Sequence, residues 1–212
     1  MATPTVSLVP ETIEMRSGVD WYSYVQLNDS IHTGAIRLTY YRGDLEIMTI
    51  SRDHDGINRL ISSLFENLAV GLDIEFYNAG GTTHRDEDSK AGFEPDTCFY
   101  TTNLDYPFDG GPIILPRDPP PDLVIEVDIS RSSLNKMAAY AAVGCREGWR
   151  HHAGRLTIFS LAGKQSRQVE ESSILPGVRA DDLNLLLAEA GKMMRKRWVP
   201  FVIDWARTRH QS

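Results

Sequence analysis

Two cysteines in 212 residues, Cys98 and Cys145, are too few and too far apart for a disulfide framework or a thiolate metal site. Such sparse thiols fit a reducing, cytoplasmic setting. No apolar run approaches the roughly 20 residues that a membrane span needs, so no membrane partner is expected. The first eleven residues lack both a basic start and an apolar core, which argues against a secretory leader. Asn28-Asp29-Ser30, spelled like a glycosylation acceptor, and Arg42-Gly43-Asp44, spelled like an adhesion tripeptide, are therefore read as coincidence. A basic surplus is missing too: the net charge of -7 argues against strong nonspecific nucleic-acid binding, which is mostly electrostatic. There is no Gly-x-Ser-x-Gly, no His-Glu-x-x-His, no Gly-Lys-Ser/Thr phosphate loop and no dinucleotide glycine fingerprint. His151 and His152 are adjacent, so on a strand they face opposite ways and cannot chelate together. No histidine spacing supports Cys98 as a nucleophile.

What is present suffices for one full core: 42% of the residues are hydrophobic, and residues 1–212 read as a single domain. The charge is uneven. From Gly191 to Ser212 six Lys or Arg face one acid, so 191–212 reads as a basic C-terminal helical extension, either touching phosphates or simply solvated. Residues 1–17 read as a weakly ordered lead-in, 19–27 as a short helix and 28–34 as a polar break. Residues 36–41 and 45–50 form a hairpin about Arg42-Gly43-Asp44. Asp53 or Asp55 caps a helix carrying Ile57, Leu60, Ile61, Leu64, Phe65 and Leu68 at helical spacing, and Gly71 stops it. Residues 74–79 form a strand, 82–92 a polar connection and 93–100 a strand in which Asp96, Cys98 and Tyr100 share a face. The stretch 101–121, with Pro107, Gly110, Gly111, Pro112 and Pro116, is a long loop of the kind that is often functional or mobile. Strands follow at 155–161 and 168–171. Asp181 or Asp182 caps a late helix, and a C-terminal segment with Phe201 and Trp205 begins after Pro200, Trp198 standing just before it. Strands and helices mix without strict alternation, which indicates an α/β layer fold with a mixed sheet flanked by helices.

The stretch Pro119 to Ser130 concentrates the chemistry. Three prolines close a loop, and then Leu123, Ile125, Val127 and Ile129 point one way while Val124, Glu126 and Asp128 point the other. A carboxylate inside an otherwise apolar strand is costly unless it is paired or binds metal. Residues 130–144 read as a helix with Lys136 near its start, within reach of Glu126 at strand and helix rise. Asp96 lies near the end of a neighbouring strand. Two carboxylates and a lysine are what metal-assisted phosphodiester hydrolysis requires, because the metal offsets phosphate charge and yields hydroxide near neutral pH. The plainer readings stay open: Asp96 as a strand-end residue, Lys136 as an exposed helix lysine, His54 as a cap, Asp128 as a solvated acid.

The ordered series Leu38-Thr39-Tyr40, Gly43 to Met48, His54, Glu94-Pro95-Asp96, Asp122 to Val127, Lys136, Tyr140, Gly144 and Trp149 resembles the Uma2 family. These are bacterial proteins of the PD-(D/E)XK nuclease-like superfamily. The resemblance runs from about Trp21 to Leu187. It implies a restriction-endonuclease-like core, a central mixed β-sheet flanked by helices with an N-terminal hairpin, and a nuclease that uses Mg²⁺ or Mn²⁺ on nucleic acid, DNA before RNA. Carried over, Asp96 and Glu126 are the metal ligands and Lys136 the catalytic lysine, with His54, Glu94 and Asp128 supporting them from behind. The superfamily's usual lysine, two residues after the second acid, falls at Asp128, so Lys136 on the next helix takes its place. Gly148 and Cys145 depart from the family's usual apolar residues and read as packing differences. A homodimer is compatible with this reading. Two rivals stand beside it: a binding or regulatory module that keeps the fold without cutting, and a self-associating protein that uses Trp198, Phe201 and Trp205.

Overall fold

The computed structural model describes residues 12–105, 111–129 and 134–210. Residues 1–11 of the expected 1–17 lead-in, part of the Gly/Pro loop at 106–110 and the expected helix start at 130–133 lie outside the described residues; within the lead-in, Thr12–Arg16 form a strand instead, held by antiparallel pairing with residues 45–49.

Strand β1 (Thr12–Arg16) and helix α1 (Trp21–Ser30) precede the expected hairpin of β2 (Ile36–Tyr41) and β3 (Asp44–Thr49). Arg42 and Gly43 both take positive φ, 51° and 96°, which is the two-residue turn geometry that matches strand twist. The polar break begins later than expected. Asn28 is inside α1 and buried, where its amide donates to Glu94 at 2.8 Å and its oxygen accepts from Arg85. Helix α2 (Arg52–Gly71) carries the periodic apolar stripe, but its cap is Ser51, whose hydroxyl accepts from the His54 amide at 3.2 Å; Asp53 and Asp55 fall in the first turn.

The connection at 82–92 contains two short strands, β5 (His84–Asp86) and β6 (Ala91–Phe93), after β4 (Tyr77–Gly80). Strands β7 (Thr97–Tyr100), β8 (Ile113–Ile114) and β9 (Leu123–Asp128) follow, then helix α3 (Lys136–Ala142). The rest comprises β10 (Glu147–His152), β11 (Arg155–Ser160), β12 (Arg167–Val169), α4 (Ala180–Ala190) and α5 (Arg195–His210). Helix α4 is not capped by its aspartates in the expected sense. Asp182, inside the first turn, accepts from the Arg179 amide at 3.0 Å. Helix α5 runs through Pro200 rather than starting after it.

These strands make two six-stranded mixed sheets, not one. The first has the order β1-β3-β2-β6-β5-β8, the second β12-β11-β10-β9-β7-β4. The N-terminal hairpin belongs to the first. In the second, β9 and β10 run parallel and α3 lies in the crossover between them. The alternation of β9 sorts its neighbours. Leu123, Ile125 and Val127 join Phe65, Leu68, Trp149, Leu183 and Trp198 in the main core beneath α2, α4 and α5. Val124 faces the other way, into a smaller cluster with Phe93, Met137 and Tyr140 that packs α3 between the sheets.

Close approach explains two glycines. A Cβ on Gly71 would lie 2.6 Å from the Ala206 Cβ and 2.7 Å from the Ile203 carbonyl oxygen, so Gly71, the last residue of α2 as expected, also seats α5 on that helix. A Cβ on Gly148 would lie 2.6 Å from the Met137 sulfur, which is what permits α3 to press onto β10. Trp198 and Val202 are fully buried in the chain's own core, and the Trp198 indole donates to the Leu186 carbonyl at 2.8 Å. Trp198 is therefore not the self-association surface that one rival reading required of it.

His84 joins the two sheets. Its Nδ1 lies 2.7 Å from the Thr82 carbonyl, its Nε2 3.3 Å from the Tyr100 hydroxyl, and its ring stacks on Phe93. Burial holds its pKa down to about 4, against a smaller upward pull from the Thr82 bond. Below about pH 6.5 the unfolded chain takes up this proton and the native state does not. Urea unfolding should therefore lose about 2 kcal/mol of His84-linked stability between pH 7 and pH 5, and His84→Gln should remove that part of the slope. Gly71→Ala should lower the unfolding free energy measured in urea at every pH, by about 1–3 kcal/mol, because backbone must shift to admit the methyl.

Candidate active site

The non-core face of β9 delivers Glu126 and Asp128 toward α3. Glu126 is almost wholly buried, and its Oε2 accepts from Lys136 Nζ at 2.9 Å while Oε1 accepts from the Tyr140 hydroxyl. Lys136 and Tyr140 are four residues apart on α3, one turn on one face, so a single helix turn clasps both carboxylate oxygens. The Lys136 ammonium also lies 3.0 Å from Glu46 Oε1 on β3 of the other sheet. Lys136 is thus a buried ammonium with carboxylates from both sheets, not an exposed helix lysine.

Asp96 directly precedes β7, whose register sets Thr97 opposite Ile125 on β9. Its Oδ2 accepts from the Val127 amide at 2.8 Å, and His54 Nε2 lies 3.1 Å from the same oxygen. His54, at the capped start of α2, is as buried as Asp96 and touches it directly. Asp128 is buried and accepts from Arg150 Nε. The parallel β9–β10 register pairs Arg150 with Glu126, which brings the guanidinium to this place.

Five of the six residues singled out from the sequence therefore gather at one end of the second sheet: Asp96, Glu126, Lys136, His54 and Asp128. Glu94 does not. It is half-buried among Asn28, the Leu38 amide and Thr83, where it ties α1 to the first sheet. Glu46, Tyr140 and Arg150 join the site without having been singled out. The first two carried a signal. Glu46 is a carboxylate inside the apolar run Leu45 to Met48, and Tyr140 lies one turn from Lys136.

The electrostatics follow from burial and crowding. Desolvation pushes the Glu126 carboxyl up to about 7; Lys136 pulls it down, and Asp96 pushes it up again. Burial opposes the charge of Lys136, but Glu126 and Glu46 outweigh it and keep the ammonium protonated. Burial and the Glu126 carboxylate raise the Tyr140 phenol, so it stays a donor. A pocket of about 290 Å³ opens here, lined by Glu126, Asp128, Asn135, Lys136 and Arg150 among others.

The donor set is all oxygen, which suits Mg²⁺ or Mn²⁺ rather than a soft metal. Among the described residues no group of three or more His, Cys, Asp or Glu is arranged around a metal position. Mg²⁺ does not require one, since one or two carboxylates with water and substrate oxygens suffice. Asp96 and Glu126 fit that need: an ionised carboxylate has about four lone-pair sites, and the repulsion from Asp96, which adds to the effect of burial on Glu126, is what a divalent cation relieves.

The chain belongs to the Uma2 family: residues 21–189 match its profile, described as "Putative restriction endonuclease". The fold is also similar to a solved structure from Anabaena variabilis, described as "a putative nuclease belonging to DUF820", at TM-score 0.53 and 16% identity. The likeness covers 80% of this chain and 99% of that one. No curated protein matches. Among the described residues, no helix is long and apolar enough to cross a membrane.

The ammonium between two carboxylates makes a stability prediction. Lys136→Met should destabilise the fold by about 3 kcal/mol in urea titrations, because Glu46 and Glu126 are left facing each other in a buried space. Adding Glu46→Gln to that variant should recover part of the loss.

Proposed function

We propose that the chain is a Mg²⁺- or Mn²⁺-dependent endonuclease that hydrolyses phosphodiester bonds in DNA. The observation that carries this reading is Glu126: a carboxylate buried on a central strand, bonded to Lys136, crowded by Asp96 and open to a pocket. Asp96 and Glu126 would hold the metal, which supplies charge to the phosphate and hydroxide near neutral pH. The chain's own groups do the rest. The Val127 amide and His54 hold Asp96 in place, and Tyr140 holds Glu126. Lys136 offers positive charge beside the reacting phosphate, in a setting dry enough to make that charge effective. The choice of DNA rests on the family's restriction-endonuclease description.

A non-cutting module that retains the fold is the second reading. It is favoured by the two carboxylates already engaging Lys136.

Incubation with supercoiled plasmid and Mg²⁺ or Mn²⁺ separates the two. Wild-type protein should nick the plasmid, EDTA should stop it, and Asp96→Ala, Glu126→Ala and Lys136→Ala should each lower the rate by on the order of 100-fold or more. Cleavage unchanged by both acid substitutions overturns the site. Glu126-dependent Mn²⁺ binding in calorimetry without any cleavage favours the module.

A further inference from the structure

The site holds four carboxylates, Glu46, Asp96, Glu126 and Asp128, against two full cations, Lys136 and Arg150. Such a balance repels a phosphodiester unless some cation faces it. Lys136 is poorly suited to meet substrate first: its side chain is 7% exposed, and its charge is shared between Glu46 and Glu126. Arg150 is different. Its side chain is 37% exposed, it lines the same pocket, and strand register sets it beside Glu126.

Asp128 governs how Arg150 presents itself. The carboxylate is buried, its side chain 6% exposed, and it takes the Nε donor. One of five guanidinium N–H groups is used there, and the planar fork is fixed about that bond. The two terminal amino groups carry the remaining donors, in the spacing that matches two oxygens of one phosphate.

We infer that Arg150, oriented by Asp128, is a substrate-binding residue that takes a backbone phosphate of the nucleic acid, and that Asp128 is its positioning residue rather than a support for the metal. This deepens the nuclease reading and rests on it for the identity of the strand. The bland alternative is a half-exposed ion pair with no ligand, worth little.

The test is binding of a short fluorescent DNA duplex, followed by anisotropy in Mg²⁺ across a series of KCl concentrations, with Glu126→Gln as the parent so that cleavage does not intervene. Arg150→Ala should weaken binding about tenfold and reduce the log–log salt slope by about one. Arg150→Lys should keep the slope but recover only part of the affinity, because an ammonium cannot bridge Asp128 and a phosphate as a fork does. Asp128→Asn should weaken binding less than Arg150→Ala and add nothing to it in the double variant. Equal affinity and slope in Arg150→Ala and its parent, or no binding by either, overturns the inference. Plasmid cleavage by the otherwise wild-type chain distinguishes the two failures. If the chain does not cut but DNA binding depends on Arg150, the nuclease reading falls and the phosphate site stands. If it cuts through Glu126 and Arg150→Ala leaves KM and kcat unchanged, the reverse holds.

Discussion

The ammonium of Lys136, held between Glu46 of the first sheet and Glu126 of the second, is the interaction on which the arrangement depends. Removing a lysine and two carboxylates from water is expensive, and only close mutual contact offsets that cost. The contact requires each partner's own element to be in place. Glu46 needs the β2–β3 hairpin, Glu126 needs β9 paired on both sides, and Lys136 needs α3 lodged between the sheets by Met137, Tyr140 and Ala141. Folding of the two layers and assembly of the site are therefore one event, described at one atom.

Strand β9 works on both of its faces. Leu123, Ile125 and Val127 anchor it in the main core, and that rigidity is what aims Glu126 and Asp128 on the opposite face. Its neighbours add the remaining parts by pairing: β7 on one side fixes Asp96 just before its first residue, and β10 carries Arg150 on the other. A site built across three hydrogen-bonded strands inherits their register, so its parts cannot drift independently. Helix α2 contributes from its capped end, where Ser51 fixes the turn that brings His54 to Asp96.

Much of this was readable from residue order, for local reasons. Alternation over 123–129 placed Glu126 and Asp128 on one face, turn residues marked the hairpin, and helical spacing marked α2. Reach permitted Lys136 to meet Glu126, ten residues away, and the family resemblance singled it out. What could not be read was non-local or small. Glu46 is 90 residues from Lys136, and nothing in a single sequence pairs them. Arg150 acquires its neighbours only through the parallel β9–β10 register. Strands β5 and β6 are three residues each and mostly polar or glycine, too short to show a period. Glu94 beside Pro95-Asp96 looked like a partner of the site because it is adjacent in sequence; strand geometry sends it to Asn28 and Thr83 instead. Gly71 read as a stop signal and does end α2, but nothing local showed that its missing side chain also makes room for a helix that begins more than a hundred residues later.

The same logic applies to Gly148, with a consequence for how relatives of this chain are compared. Position 148 is bare where Met137 leans in, and Met137 is the immediate neighbour of Lys136. Volume withheld from β10 is volume granted to α3, so positions 148 and 137 form a single steric character split across the sequence. A relative with a bulkier residue at the first should carry a slimmer one at the second, or seat its helix elsewhere. Aligning such chains by the lysine alone would conceal that exchange.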